Sequence, residues 1–214
     1  KIQDAGQSTI IIEGVEQLSG AEHTVIPDRI VATTYLCCAA ATGGEIILTQ
    51  ADPEAVSSVL PVMREMGCKI LTSDHSIYLK GKPRLKGAKT IRTLPYPGFP
   101  TDAQALLMAL AARADGTTVF VENIFENRFK HAGELCRMGA DIKIEGKVAV
   151  VQGVKQLYGA SVRATDLRGG AAMIIAGLAA QGDTTIEDVY HIERGYENIC
   201  ENLGKLGANI EGLY

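Results

Sequence analysis

The sequence predicts an α/β fold made of three copies of one unit, because two short markers each recur three times at a nearly constant separation. The first marker is Leu-x-Gly-Ala, and it occurs at 18–21, 85–88 and 157–160. The second is a glycine that follows Met or Leu, and it occurs within 66–70, 138–142 and 206–210. Such a repeat indicates three related β-α-β-α-β-β units.

The first half of each unit consists of a short extended stretch and then a helix rich in small residues. The extended stretch is clearest at 22–26 and 161–164. We predict the three small-residue helices at 28–42, 102–114 and 167–181. Because helices with so many Ala and Gly residues pack closely, we expect them inside and the sheets outside.

The second half of each unit begins with a strand and continues with an amphipathic helix. The strands are predicted at 45–48, 117–121 and 184–189, and the helices at 53–66, 127–138 and 194–206. Val56, Val59, Leu60 and Met63 form one apolar stripe at helical spacing. The marker glycine then ends the helix in a left-handed conformation.

Closing strands are predicted after the marker glycine. They lie at 69–72 and 77–79 in the first unit, and at 142–144 and 148–151 in the second. The third unit reaches Tyr214 one strand short. Because no long flexible linker separates the units, we predict a single domain of 214 residues, with repeats at about 10–81, 82–153 and 154–214.

Composition limits the function classes. The net charge is −4 and no basic block occurs, which argues against a nucleic-acid partner. No apolar run approaches the roughly 18 residues that span a bilayer, and no signal peptide opens the chain. The five cysteines form no C-x-x-C pair and no metal-ligand spacing with the histidines, so we expect buried thiols, no metal and a cytoplasmic location.

Four strings then carry a resemblance to a known family: FPTDAQ at 99–104, FENRF at 125–129, ATDLR at 164–168 and YHIERGY at 190–196. With the repeat plan, they resemble the enolpyruvyl transferases, and within that family the members that act on UDP-N-acetylglucosamine. The resemblance implies an inside-out α/β barrel with helices inside and sheets outside. It also implies that phosphoenolpyruvate donates its enolpyruvyl group to the sugar 3-hydroxyl, in the first committed step of peptidoglycan synthesis, without a cofactor.

The family has two such domains, and one of them carries a loop cysteine that acts as general acid. None of the five cysteines here lies in a loop of that kind. The resemblance therefore implies that the chain is the other domain, inactive alone, and that its partner is the missing catalytic domain. The first residue is Lys rather than Met, which also favours a truncated chain.

Asp102 and Ile124 are the candidate sugar-binding residues. Asp102 follows a loop with three prolines and stands at a predicted helix start, where an aspartate caps the helix in many proteins. The resemblance implies instead that Asp102 binds the sugar hydroxyl and is the general base. Ile124 is either a core residue or, by resemblance, a position that meets the UDP-sugar through its backbone.

Three arginines, Arg128, Arg168 and Arg194, are predicted at or near helix starts, where a cation opposes the helix dipole. They are either solvated surface residues or anion ligands, because guanidinium groups bind phosphate and carboxylate bidentately. The resemblance implies that Arg194 binds phosphoenolpyruvate, and that Arg128, Arg168 and Asp166 support the charged site. Capping or an ion pair with a neighbouring arginine is the alternative for Asp166, and capping is the only interpretation for Asp28.

Two other functions remain open on the sequence. One is the matching half of an enolpyruvylshikimate-phosphate synthase, although none of the four strings has that enzyme's wording. The other is a stand-alone nucleotide-sugar-binding or regulatory domain that kept the fold and lost catalysis.

Overall fold

The structure is a computed structural model, and it describes residues 1–212. The helices are α1 (Arg29–Thr42), α2 (Leu60–Glu65), α3 (Thr101–Ala112), α4 (Ala132–Arg137), α5 (Leu167–Ala179), α6 (Tyr190–Glu193) and α7 (Ile199–Lys205). The strands are β1 (Ile2–Gln3), β2 (Ile11–Ile12), β3 (Glu45–Thr49), β4 (Lys69–Ser73), β5 (Ser76–Lys80), β6 (Thr90–Arg92), β7 (Thr117–Val121), β8 (Asp141–Glu145), β9 (Val148–Gln152), β10 (Ser161–Arg163) and β11 (Thr185–Glu187).

The three small-residue helices α1, α3 and α5 pack against one another at the centre of the structure. Every residue of α3 from Ala103 to Ala112 is buried, so this helix has no solvent face after its first two residues. In α5 the run from Gly169 to Ala176 is buried as well. The prediction that these helices lie inside is confirmed, and their predicted bounds are correct to within two residues.

The sheets lie outside the helices, and the second unit shows the complete pattern. Its sheet has the strand order β6-β7-β9-β8, with β6 and β7 parallel and the other pairs antiparallel. Ala149 and Val151 of β9 are buried whereas Val150 between them is exposed, as expected of a sheet with one face on the core. The first unit has the order β3-β5-β4, and the third has the parallel pair β10-β11.

One predicted strand is absent from the first unit. Residues 22–26 belong to no helix or strand, and residues 1–28 are exposed throughout. In the described part of the chain β3 pairs only with β5, so nothing occupies the edge that a strand at 22–26 would need. The N-terminal segment instead forms a small antiparallel pair, β1-β2, which the sequence did not indicate.

The amphipathic helices are shorter than predicted. In the first unit a 3₁₀ turn at Glu54–Val56 precedes α2, because Pro61 cannot donate a backbone bond and its ring would clash with the carbonyl of Ser57 in a continuous helix. The apolar stripe is nevertheless confirmed as buried, since Val56 to Met63 at the predicted positions are at most 3% exposed.

In the third unit only α7 lies within the predicted helix 194–206, whose first five residues are not helical, and the short α6 precedes that range. Asn198 has φ +46°, in the left-handed region that a right-handed helix cannot contain. In the second unit α4 begins only at Ala132, five residues later than predicted, while Phe129 before it is buried.

The marker glycines adopt the predicted conformation. Gly67, Gly139 and Gly207 have φ values of +103°, +93° and +95°, and each follows a helix of the second type. After the last of them, residues 208–212 form no strand, and the end of the predicted third repeat at residues 213–214 lies outside the described residues. No helix within residues 1–212 has the length and apolarity to cross a membrane.

Candidate active site

Asp102 is the second residue of α3 and does not cap it. The N-cap position belongs to Pro100, which has extended backbone angles and no side-chain capping bond. The loop before it is closed by backbone hydrogen bonds from Leu94 N to Phe99 O (2.9 Å) and from Gly98 N to Pro95 O (2.8 Å). The capping interpretation of Asp102 is therefore wrong.

The carboxylate of Asp102 is bound by two guanidinium groups. Arg128 Nη2 donates to Oδ1 at 2.9 Å, and Arg168 donates to Oδ2 from Nε at 3.3 Å and from Nη2 at 3.2 Å. The Asp102 side chain is 40% exposed, whereas those of Arg128 and Arg168 are 19% and 12% exposed. The two arginines are thus held at the surface of the core by a carboxylate that solvent still reaches.

Arg168 is oriented further by Tyr196, for which the sequence pattern indicates no role of its own. Arg168 Nη1 donates to the Tyr196 hydroxyl at 3.1 Å, and that hydroxyl lies 2.9 Å from Thr34 Oγ1 of α1. Because Thr34 donates its own proton to Ile30 O at 2.8 Å, the Tyr196 hydroxyl donates to Thr34 and accepts from Arg168. Burial raises the pKa of Tyr196, although Thr34 and Arg168 oppose that effect, so the group is a neutral hydrogen-bonding residue.

Asp28 and Asp166 cap their helices. Asp28 Oδ1 accepts from the amides of Ile30 (2.7 Å) and Val31 (3.2 Å) at the start of α1, as predicted. Asp166 Oδ1 accepts from the amides of Arg168 (2.9 Å) and Gly169 (3.0 Å) at the start of α5, which is the capping alternative. Burial alone would raise the pKa of Asp166, but these amides and the nearby Arg128 charge outweigh it and lower the pKa.

His131 is a buried imidazole beside this cluster. It is 1% exposed, and its Nε2 has no hydrogen-bond partner in the described part of the chain. Burial lowers its pKa to about 4; the Asp166 charge opposes this effect and the Arg128 charge adds to it. His131 is therefore a neutral group packed against the start of α5. A Cβ added to Gly169 there would lie 3.2 Å from the Cβ of His131.

Ile124 is a loop residue with an exposed side chain, so the core interpretation is wrong. It is 38% exposed and follows β7 by three residues. Its backbone N–H donates to the buried carboxylate of Glu122 at 2.8 Å. Its carbonyl accepts no hydrogen bond from residues 1–212. Of the two backbone polar groups of Ile124, the carbonyl is therefore the one that can bind a ligand, as an acceptor.

Only one of the three arginines stands at a helix start. Arg168 lies in the first turn of α5, but Arg128 lies in the loop four residues before α4, and Arg194 is the C-cap of α6. The prediction that all three lie at or near helix starts is confirmed for Arg168 only, because the helices expected at 127 and 194 do not begin there. Arg194 is exposed; its backbone N–H donates to Ile192 O, and its side chain makes no hydrogen bond or ion pair within the described residues.

The cysteines are only partly as predicted. Cys37, Cys38 and Cys68 are buried, and burial raises the pKa of Cys37 well above its usual range, that of Cys38 to about 12 and that of Cys68 to about 11. Cys136 is exposed and Cys200 is half-buried, so the expectation of buried thiols is wrong for these two. No group of three His, Cys, Asp or Glu side chains within residues 1–212 is placed to hold a metal ion.

Comparison with known proteins decides the family. The sequence profile of EPSP synthase (3-phosphoshikimate 1-carboxyvinyltransferase) matches residues 1–203. The chain belongs to the EPSP synthase family.

Among solved structures, the enolpyruvyl transferase NikO from Streptomyces tendae matches 88% of the chain with a TM-score of 0.79 and 29% identity. EPSP synthase from Acinetobacter baumannii matches 86% of the chain with a TM-score of 0.68, and at 21% identity that likeness shows the fold alone. The inside-out α/β fold class expected from the sequence is thereby confirmed.

The relatives most informative about substrate are two curated proteins. Both are named UDP-N-acetylglucosamine 1-carboxyvinyltransferase 1. The protein from Symbiobacterium thermophilum is 54% identical over 210 residues, which are 98% of this chain and 47% of the relative. The protein from Caldanaerobacter subterraneus is 53% identical over 209 residues, 98% of this chain and 50% of the relative. The chain thus spans about half the length of the curated relatives it matches.

Proposed function

We propose that this chain is one domain of an enzyme that transfers the enolpyruvyl group of phosphoenolpyruvate to the 3-hydroxyl of UDP-N-acetylglucosamine. The proposal is supported by the 54% and 53% identity to two proteins named UDP-N-acetylglucosamine 1-carboxyvinyltransferase 1. The structural observation that carries it is the exposed Asp102 carboxylate, bound by Arg128 and Arg168 at the start of α3. This geometry joins a proton acceptor to two cations, which a reaction between a hydroxyl group and an anionic phosphate ester requires.

The reaction is an addition followed by an elimination. The sugar oxygen bonds to C2 of phosphoenolpyruvate while its proton passes to Asp102 and another proton is added to C3. Loss of a C3 proton then breaks the bond from C2 to the phosphate oxygen and releases phosphate. We assign the acid that protonates C3 to the partner domain, and no metal or organic cofactor takes part in these steps.

Asp102 has room for the substrate hydroxyl at one oxygen. A carboxylate has about four acceptor positions, and here Oδ2 accepts two N–H bonds whereas Oδ1 accepts one. The second acceptor position of Oδ1 is therefore where a sugar hydroxyl can donate its proton. The Ile124 carbonyl, unpaired within the described residues, is a second acceptor for the same nucleotide sugar.

The arginines divide into two roles. All three nitrogens of the Arg168 guanidinium are engaged, with Asp102 and Tyr196, so Arg168 orients the base and Asp166 caps its helix. Arg128 uses one nitrogen, and Arg194 uses none within the described residues. We assign Arg128 and Arg194 to phosphoenolpyruvate, whose phosphate and carboxylate suit guanidinium donors.

The active enzyme requires the other half of the relatives' length. We propose that this half is the partner domain with the acid, and that the isolated chain binds substrate without turning it over. The same proposal includes a cytoplasmic location and a role in peptidoglycan synthesis, cell shape and cell division. The shikimate alternative draws support only from the family description and from a fold likeness at 21% identity.

Calorimetry with the chain tests the substrate class. We expect heat of binding with UDP-N-acetylglucosamine and none with shikimate 3-phosphate, and a weaker response from the Asp102→Ala variant. Binding of shikimate 3-phosphate alone would overturn the proposal. A phosphate-release assay with both substrates tests the second part, because robust turnover by the chain alone contradicts the need for a partner domain.

A further inference from the structure

Glu122 is a buried carboxylate that the proposed chemistry leaves without a role. It directly follows β7, it is 1% exposed, and its amide donates to Lys147 O at 2.8 Å. Removing a carboxylate from water is costly unless hydrogen bonds replace the lost solvation. A residue that only ends a strand does not need a carboxylate at this position. The hydrogen-bond partners of Glu122 therefore indicate the role of its carboxylate.

Four donors surround the Glu122 carboxylate. Oε1 accepts from Thr93 Oγ1 at 2.8 Å, from Ile124 N at 2.8 Å and from Phe125 N at 3.1 Å. Oε2 accepts from Thr101 Oγ1 at 3.0 Å. One side chain therefore bonds to the end of β6, to the loop after β7 and to the first residue of α3.

A second set of bonds completes the same loop. Thr93 Oγ1 accepts from Asn123 N at 2.8 Å, and Thr93 O accepts from Asn123 Nδ2 at 3.0 Å. The three successive amides of Asn123, Ile124 and Phe125 are thus all bonded, although the side chains of these residues are exposed. The loop is therefore fixed through three backbone amides and the Asn123 side chain, while residues 123–125 remain exposed.

The two ends of this network are the two candidate sugar-binding positions. Thr101 is adjacent to Asp102, and Ile124 is bonded directly to Glu122. We infer that Glu122 is a positioning residue that fixes the Asp102 end of α3 and the Ile124 loop relative to each other. This inference rests on the proposed function for its consequence in ligand binding, but its structural part can be tested without a ligand.

Geometry rather than charge is the property that Glu122 supplies. In Glu122→Gln the amide oxygen can accept the three bonds now made to Oε1, and the amide nitrogen can donate to Thr101 Oγ1, because a hydroxyl also accepts. In Glu122→Ala all four donors lose their partner. The Gln variant should therefore retain the loop, and the Ala variant should release it.

Amide hydrogen exchange of the ligand-free chain tests the structural part. We expect Glu122→Ala to speed exchange at Ile124 and Phe125 at least tenfold, and Glu122→Gln to change it less than threefold. The matched control is Glu145→Ala, which removes an exposed carboxylate from β8 and should leave both amides unchanged. Unchanged exchange in Glu122→Ala, or equally fast exchange in Glu122→Gln, overturns the inference.

Calorimetry with UDP-N-acetylglucosamine tests the consequence for binding, with Thr101→Val as the decisive variant. It removes only the bond to α3, so affinity should fall at least threefold while exchange at Ile124 and Phe125 stays as in the wild type. Unchanged affinity contradicts the coupling of the two positions.

If the wild-type chain binds no UDP-sugar but the exchange pattern is as expected, the proposed function fails and the positioning role stands. If Glu122→Ala does not fold, Thr93→Val replaces it and should speed exchange at Asn123 at least tenfold, with no change contradicting the network.

Discussion

The start of α3 differs from the starts of α1 and α5, although the repeat places an aspartate at each. Asp28 and Asp166 directly precede their helices, and each accepts two backbone amides. Asp102 stands two positions later, inside the first turn, with Pro100 at the N-cap. Its carboxylate bonds to Arg128 and Arg168 rather than to backbone.

A shift of two residues therefore changes what the same residue type does. An N-cap side chain points back over the first amides, so its oxygen is used by the helix itself. A side chain inside the first turn can extend away from the helix and reach other elements. In the second unit the proline-rich loop 95–100 provides the N-cap without a polar side chain, and the aspartate is left for other partners.

The largest expected effect is that of Asp102→Asn on turnover. When the chain is joined to the partner domain that we propose, loss of the proton acceptor should lower kcat by roughly 10²–10⁴-fold. Affinity for UDP-N-acetylglucosamine should fall much less, because the amide oxygen can still accept a hydrogen bond. Steady-state kinetics measure both quantities.

The matched control is Asp28→Asn, which alters the equivalent residue of the first unit. Asparagine also caps helices, so kcat should change by less than threefold in Asp28→Asn. A similar loss of turnover in Asp28→Asn and Asp102→Asn would remove the distinction between capping and catalysis.

The next effect concerns pH and the buried His131, which packs against the Asp166 end of α5. Its folded pKa of about 4 lies below the unfolded value of about 6.5, so the folded state favours the neutral ring. Its contribution is complete above pH 6.5 and is lost as the pH falls from 6.5 to 4, with a slope approaching about 1.4 kcal/mol per pH unit. Urea unfolding across this range measures it.

The variant His131→Asn should flatten this pH dependence, even if it lowers stability at every pH. The exposed His75 in the turn between β4 and β5 provides the control, and His75→Asn should retain the wild-type slope. A slope that survives in His131→Asn would show that another group binds the proton.

Removing the two caps should have a moderate effect on stability. Asp28→Ala and Asp166→Ala each leave two helix amides without an acceptor, and we expect a loss of about 1 kcal/mol in each case. Chemical denaturation measures this loss. Because a threonine hydroxyl also accepts from the first helix amides, Asp28→Thr should retain most of the stability that Asp28→Ala loses. An equal loss in the two variants would contradict the capping role.

The smallest effect is expected for Tyr196→Phe. The variant loses the hydroxyl bonds to Arg168 and Thr34, but Arg168 keeps Asp102 and Thr34 still donates to Ile30 O. We therefore expect a stability loss of about 0.5 kcal/mol. A loss above about 2 kcal/mol would mean that Tyr196 carries more of the contact among the three units than its hydrogen bonds indicate.

The fold was predictable where one local pattern determines it. The small-residue helices, the sheet strands of the second unit and the left-handed Gly67 follow from periodicity and from glycine chemistry. The strand at 22–26 was wrongly predicted because a strand needs a neighbour, and no local pattern shows whether one exists. The break before α2 was readable from Pro61, whereas the left-handed Asn198 was not.

The site was only partly predictable, because its contacts are distant in sequence. Asp102 and its partners were found by resemblance, but the bonds to Arg128 and Arg168 connect residues 26 and 66 positions apart. Glu122 was missed since it resembles any polar strand terminus. Its single local signal is an acidic residue directly after an apolar strand, and that signal also fits a solvated loop.

Mapping of the UDP-sugar onto the chain tests most directly whether the start of α3 is the sugar site and the start of α1 is structural. We propose a titration of the isotope-labelled chain with UDP-N-acetylglucosamine, followed through its backbone amide signals by NMR. We expect the largest shifts at Asp102, Ile124 and Arg128, and none at Ile30 and Val31 beside the Asp28 cap. Shifts centred on the start of α1, or confined to a surface away from Asp102, would contradict it.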